Sequence, residues 1–336
     1  FLIIFGLFFI LSNQICARIL VPKFGTKIIM SIAIIIIAVS NLLLMISPNY
    51  LFLLFFAIPT GIGWGSSAPI AGIHANLIEK HSRKIVVPYY AMGFNLGMFI
   101  GGISAGFFIN YQFSPKYVFT ILILVSVLIS LTIYHFALPQ NLDFKGKGDR
   151  FKIPEKNILL FGLLLFMIFG SNGIMVDWST LWLTKDLNSP LHLGGLGLMF
   201  FSFGGMLANL FSNQLINFFS EKVVGCFFVL IGSFLLLISI IIFNLYLILI
   251  CLFFYGFLTA NFVPLVIRQA VRQSTENLST TVGNLITMGL CSMFIAPAII
   301  GFIAETYSLT HNMYGLCFLI FFTGIVFFNM FKPINE

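Results

Sequence analysis

Apolar runs of about twenty residues or more, separated by short polar breaks, make up almost the whole chain. A helix needs about 20 mainly apolar residues to cross a bilayer. The pattern predicts eleven such helices, at 1–19, 27–46, 50–78, 87–110, 116–137, 157–183, 191–216, 224–243, 245–267, 280–304 and 311–331. Breaks such as "SPNY" and "FNLY" leave room only for a turn, so successive helices are expected to run antiparallel. One break differs. "LPQNLDFKGKGDRFKIPEK", residues 138–156, is long, polar and flanked by prolines. It predicts a linker between an N-terminal bundle, 1–137, and a C-terminal bundle, 157–336.

Composition turns this pattern into a class. The 336 residues are 60% hydrophobic and only 8% charged, where soluble domains carry about 25% charged residues. The chain is read as an all-α membrane protein whose main partner is the lipid bilayer. The formal net charge of +7 does not mark a nucleic-acid binder, because the basic residues stand singly or in small groups between apolar runs. Fifteen of the 17 Lys and Arg residues fall in one set of breaks; Lys116 and Lys185 alone fall in the other. The positive-inside rule then places loop 138–156 and the C-terminus in the cytoplasm of a multi-pass inner (plasma) membrane protein. Eleven spans would leave residue 1 outside, so a preceding helix, making twelve, is expected. Five scattered cysteines with no CxxC and no histidine cluster predict neither disulfides nor a metal site, and no cofactor is expected.

The two halves echo each other. "SNQICARILVPKFGTKIIM" (12–30) and "SNQLINFFSEKVVGCFFV" (212–229) both close a helix with Ser-Asn-Gln, pass a short basic turn and return to apolar sequence. "YYAMGFNLGMFIGGISAGFF" (89–108) and "TVGNLITMGLCSMFIAPAIIGFI" (281–303) are both helices rich in small residues. The pairs run in the same direction, as in a parallel internal repeat.

A few polar residues interrupt the apolar runs, and ionisable residues inside a membrane default to functional candidates. Asp177, in "GSNGIMVDWSTLWLTKD", lies in the outer part of its span and is expected to face the space between the bundles. His74 offers a buried imidazole able to relay protons. Trp64 would stack on a sugar ring, and Asn95, Asn172 and Asn261 would supply amides. Trp178 and Trp182 read as an interfacial aromatic belt, and Glu79 as a surface ion-pair partner. Gly93, Gly97 and Gly101 form a stripe suited to close helix packing.

Several short motifs appear in a telling order: Lys23-Phe24-Gly25-Thr26-Lys27 after the first helix, Glu79 with Arg83 and Lys84 after the third, Asp177-Trp178-Ser179 in the sixth, Asn261-Phe262-Val263-Pro264 in the ninth, and Pro297 with Gly301-Phe302-Ile303-Ala304 in the tenth. In this order the chain resembles the major facilitator superfamily, and within it a bacterial subgroup near the sugar-permease branch. The resemblance numbers the eleven helices 2–6 and 7–12 of the family pattern, with the first helix missing. It implies a two-bundle fold and a basic cytoplasmic turn at Arg18, Lys23, Gly25 and Lys27. Departures stand where the pattern carries charge: Arg18 and Pro22 replace Gly and Asp, Asn209 and Asn213 replace Arg and Asp, and Asn172 replaces an acidic residue.

The implied function is secondary active transport of a small solute, a sugar or other small metabolite, by alternating access. The solute cavity would draw on Trp64, His74, Asn95, Asn172, Asp177 and Asn261, with Asp177 and His74 as proton-coupling residues. A monomer is expected, with protons and the solute as its only small partners and no nucleic acid. The alternative class is a non-transporting sensor or a truncated, inactive copy. No nucleophile–base pair or phosphate loop points to an enzyme.

Overall fold

A computed structural model describes residues 1–82, 86–138, 142, 154–274 and 278–332. Among them there are fourteen α-helices and no strand. Ten helical stretches of the described residues are long and apolar enough to cross a membrane. The span expected at 280–304 falls on a further helix, Leu278–Thr306, some of whose side chains lie outside the described set. The fold is that of an all-α membrane protein. Of the linker expected at 138–156, residues 139–141 and 143–153 lie outside the described residues, as do Arg83 and Lys84. The side chains of Glu79 and Pro297 do so too.

The helices are α1 (Leu2–Ile15), α2 (Val21–Phe24), α3 (Thr26–Met45), α4 (Tyr50–Ser82), α5 (Val87–Asn110), α6 (Pro115–Phe136) and α7 (Lys156–Lys185). They continue with α8 (Leu196–Leu210), α9 (Ser212–Phe219), α10 (Phe228–Ile242), α11 (Leu245–Thr259), α12 (Phe262–Gln273), α13 (Leu278–Thr306) and α14 (Leu309–Met330). Packing divides the chain into two compact units. The first comprises residues 1–90 and 112–153, the second 91–111 and 154–336. This division follows packing, whereas the one at 137 and 157 follows chain order; most of α5 belongs by packing with the later helices.

Helix ends differ from the sequence expectation at three places, each for a local reason. The first span does not stop at residue 19. A π-helical turn, Cys16–Leu20, carries it into α2, where Pro22 takes one of the first positions and needs no N–H partner. It ends at Gly25, whose φ of 82° breaks the helix. The span expected at 191–216 ends at Leu210, and a kink at Phe211 starts the separate α9. The span expected at 245–267 is broken at Ala260–Asn261 and resumes as α12, with Pro264 in its first turn.

Within each unit, helices meet through glycine. A Cβ on Gly61 would lie 2.5 Å from the Phe5 carbonyl oxygen, and one on Gly65 2.2 Å from that of Phe9, so α4 lies backbone to backbone on α1. In the second unit, a Cβ on Gly256 would meet the Phe201 oxygen at 2.0 Å, and one on Gly204 the Phe253 oxygen at 2.0 Å, pressing α11 onto α8. Polar groups tie the remaining crossings. Ser31 and Ser130 exchange hydroxyl-to-carbonyl bonds of 3.3 and 2.9 Å between α3 and α6. At mid-length of α7, Ser171 Oγ lies 2.5 Å from the hydroxyl of fully buried Tyr255 on α11. The larger apolar core is in the second unit and includes Phe161, Trp182, Tyr255 and Phe262. Leu124, Leu128 and Phe136 on α6 are exposed, as suits a face solvated by lipid chains.

The glycine contacts predict the effect of adding one methyl group. Gly256→Ala forces a backbone–backbone separation that no side-chain rotation relieves, at an expected cost of about 1–3 kcal/mol. Gly93→Ala, where a Cβ meets nothing within 4 Å, is expected to leave the melting curve in place or raise it. Thermal melts followed by size-exclusion chromatography compare the two; equal melting temperatures would contradict the close α8–α11 approach.

Candidate functional site

The two units build the same turn from different residues. In the first, Gly25 takes φ 82° and ψ 163° between α2 and α3. In the second, Ser220 takes φ 73° and ψ 155° after α9. This backbone region is nearly reserved for glycine, so its recurrence at a serine marks a structural repeat that the residue types hide. The following residue pins each turn to a later helix. Thr26 Oγ1 lies 2.7 Å from His74 Nδ1 on α4, and Glu221 binds Arg268 Nη1 at 2.6 Å and Arg272 Nη1 at 2.7 Å on α12. The next residue sets an ammonium over an aromatic ring. Lys27 Nζ is 5.0 Å from the Tyr134 ring on α6, and Lys222 Nζ is 4.1 Å from the Phe328 ring on α14. Each turn is therefore clamped to two helices of its own unit.

The clamps differ in chemistry. Thr26 and His74 are both buried and are joined by a hydroxyl–imidazole hydrogen bond. Glu221 is half-buried and takes both arginines. Burial alone would raise its carboxyl; hydrogen bonds from Arg272 and Arg268, and their charges, outweigh that and hold it below its ordinary 4.5.

The sequence-predicted site residues scatter between the units. In the first, His74 is engaged with Thr26 and stands 6.4 Å, ring to ring, from Tyr90. Trp64 is partly exposed on the same helix. Arg18 donates to Gln14 at 2.8 Å, and Lys23 Nζ sits 5.2 Å from the Phe24 ring. In the second unit, Asn95 and Asn261 reach one turn of α8. Asn95 Oδ1 stands where a Cβ on Gly205 would approach within 2.9 Å, and Asn261 Nδ2 donates to the Ala208 carbonyl at 3.1 Å. Asn172 and Asp177 share α7. Among the described residues, Asn172 Oδ1 and Asn261 Oδ1 are buried without a hydrogen-bond partner. Asp177 is exposed and has no ion pair or hydrogen bond among the described residues. One expectation is corrected: Trp182 is not in an interfacial belt. It is fully buried, and its indole N–H donates to Thr310 Oγ1 at 3.1 Å.

Sequence reasoning missed the Ser171–Tyr255 link, because serine and tyrosine in apolar runs carry no local signal. It also missed Glu221 with its arginines. A signal existed there: Arg268 and Arg272, four apart, share a helix face.

A family model described as Major Facilitator Superfamily matches residues 1–169. An uncharacterised transporter of this type from Yersinia pestis is 25% identical over 306 residues, covering 87% of this chain and 76% of its own. The 4-hydroxybenzoate transporter PcaK of Acinetobacter baylyi is 26% identical over 263 residues, 63% of this chain and 56% of that protein. Its namesake from Pseudomonas aeruginosa is 23% identical over 260 residues, 64% and 57% of the two chains. The chain thus spans little more than half the length of these two relatives. Among solved structures, the human organic anion transporter MFSD10 (TETRAN) superposes with a TM-score of 0.68 over 97% of this chain and 82% of its own, at 14% identity, a likeness of fold alone.

The charged clamp has a pH signature. A carboxyl held below its ordinary value adds stability that is complete above about 4.5 and is lost as pH falls through the lowered folded value. Glu221→Gln is expected to lower the melting temperature at pH 7, by the equivalent of about 1 kcal/mol for a partly screened pair. The difference from the parent should shrink below pH 4.5. A difference independent of pH would sever the link to the carboxylate.

Proposed function

The chain belongs to the major facilitator superfamily, and from that membership we propose that it is a secondary transporter moving a small organic solute by alternating access. The observation that carries the reading is the family match together with relatives named as transporters. The resemblance to the sugar-permease branch rests on Asp177-Trp178-Ser179 and its neighbouring motifs. The names of the relatives favour an organic acid over a sugar, and we adopt an aromatic carboxylate as the solute class.

Polar groups within the spans supply the path. Asn172 and Asn261 each hold a carbonyl oxygen without a protein partner among the described residues, and such groups in a membrane call for water or solute. The α11–α12 break at Asn261 fits the pattern in which discontinuous helices form midplane sites. Asp177 is the coupling residue in this reading, because an ionised carboxylate costs roughly 2.5–3.5 kcal/mol at a helix centre in lipid and an ionisable residue within a span is by default a functional candidate. His74, bound to Thr26, is assigned to the turn rather than to proton transfer. Trp64 and Asn95 remain cavity residues in this proposal. The protein acts as a monomer in the inner membrane, with its basic turns and loop 138–156 in the cytoplasm.

Two experiments test this. In proteoliposomes with an imposed proton gradient, the parent should accumulate labelled 4-hydroxybenzoate. Asp177→Asn should lose accumulation while retaining solute exchange; undiminished accumulation would remove Asp177 from coupling, and no uptake by the parent would sink the transport reading. For orientation, a single cysteine placed in 143–150 should resist an impermeant maleimide in intact cells and react once they are opened. Labelling in intact cells would invert the topology.

A further inference from the structure

At the end of α7, a cavity of about 450 Å³ opens among the last turns of α7 and α13 and the start of α14. Its walls include Trp178, Leu181, Lys185, Asp186, Glu305 and Tyr307. Trp178, Leu181 and Lys185 are spaced i, i+3 and i+7, so one face of α7 presents an aromatic ring, an apolar step and an ammonium in line. Tyr307 brings a second ring from the turn before α14 and is 70% exposed.

The three charged residues are not equivalent. Asp186 Oδ2 accepts from the Thr310 N–H at 2.8 Å and the Thr310 hydroxyl at 2.7 Å. The Trp182 indole backs that hydroxyl. This carboxylate is committed to the first turn of α14, where the helix dipole offsets its charge. Lys185 and Glu305 have no hydrogen bond or ion pair among the described residues and are both exposed. The cavity therefore offers one unspent cation, one unspent anionic acceptor and two rings.

We propose that this cavity is a binding subsite, on the side opposite the basic turns, for a small hydroxylated aromatic carboxylate. The ligand carboxylate pairs with the Lys185 ammonium, the ring lies against Trp178 and Tyr307, and the hydroxyl donates to the Glu305 carboxylate. A simple aliphatic acid would leave the rings uncovered, and an unhydroxylated ring would leave Glu305 unpaired. The volume accommodates a single-ring acid with room for water, within the usual range of small-molecule sites of about 300–1,000 Å³. The proposal rests on the organic-acid reading above and adds to it a recognition site at the outer mouth, apart from Asn172, Asp177 and Asn261.

Binding and transport are measured separately, so that the two readings fail independently. In detergent, 4-hydroxybenzoate should quench the tryptophan fluorescence of the parent, and Trp178→Phe should remove that component. Lys185→Gln should raise the dissociation constant about tenfold, as for loss of a charge-assisted bond. Glu305→Gln should weaken 4-hydroxybenzoate and leave benzoate unchanged. Lys185 and Glu305 are exposed and unpaired, so both variants should fold, which their melting curves check. Binding that follows this pattern in a protein that does not transport would uphold the subsite and sink only the transport reading. Absence of quenching in the parent, or affinities unchanged in both variants, would overturn the subsite even if uptake is observed.

Discussion

Hydrocarbon cannot hydrogen-bond, and every feature of this molecule answers to that constraint. A spanning backbone must satisfy its own N–H and C=O groups, which leaves the helix as the unit of construction here. Lipid is also as apolar as leucine, so apolar burial does not by itself drive helices together. What remains is close packing and a few polar links. Hence Gly61, Gly65, Gly204 and Gly256 stand where backbones touch. Hence also Ser31 with Ser130, and Ser171 with Tyr255, stand where helices cross inside the apolar zone.

The same constraint relaxes at the basic turns, and there the two units diverge while keeping one geometry. Gly25 and Ser220 share a backbone conformation, and the residues after them perform the same two tasks. Position for position, a threonine–histidine bond stands in for a carboxylate held by two arginines. The first link is buried, and the second, half-buried, is a charged pair. Pro22, where the resembled pattern carries an Asp, stands in a turn held by its backbone conformation and by the Lys27 ammonium over the Tyr134 ring.

Polar groups with partners and polar groups without them separate structure from candidate function. Asp186, Trp182 and Thr310 satisfy one another and fasten the end of α7 to α14. Asn172 and Asn261 retain carbonyl oxygens within the spans that are unpaired among the described residues. Lys185 and Glu305 line an open cavity without engaging each other. The second unit, with the larger core, supplies the firm frame against which such groups are displayed.

Local properties were legible in the sequence. Hydropathy and run length identified the solvent as lipid and located the spans, because the need for about 20 apolar residues is met or failed within each segment. The asymmetry of Lys and Arg gave an orientation to propose, and motif order pointed to the family. Tertiary structure decided the pairings. His74 meets Thr26, 48 residues away in the chain. Trp182 looked interfacial until Thr310, 128 residues away, met its N–H. Glu221 found its arginines 47 and 51 residues on. The repeat at Ser220 was obscured because a backbone angle, not a side chain, carries it. A sequence states which residues are polar in an apolar run; which of them are satisfied depends on groups that only the folded chain brings within 3 Å or so of one another.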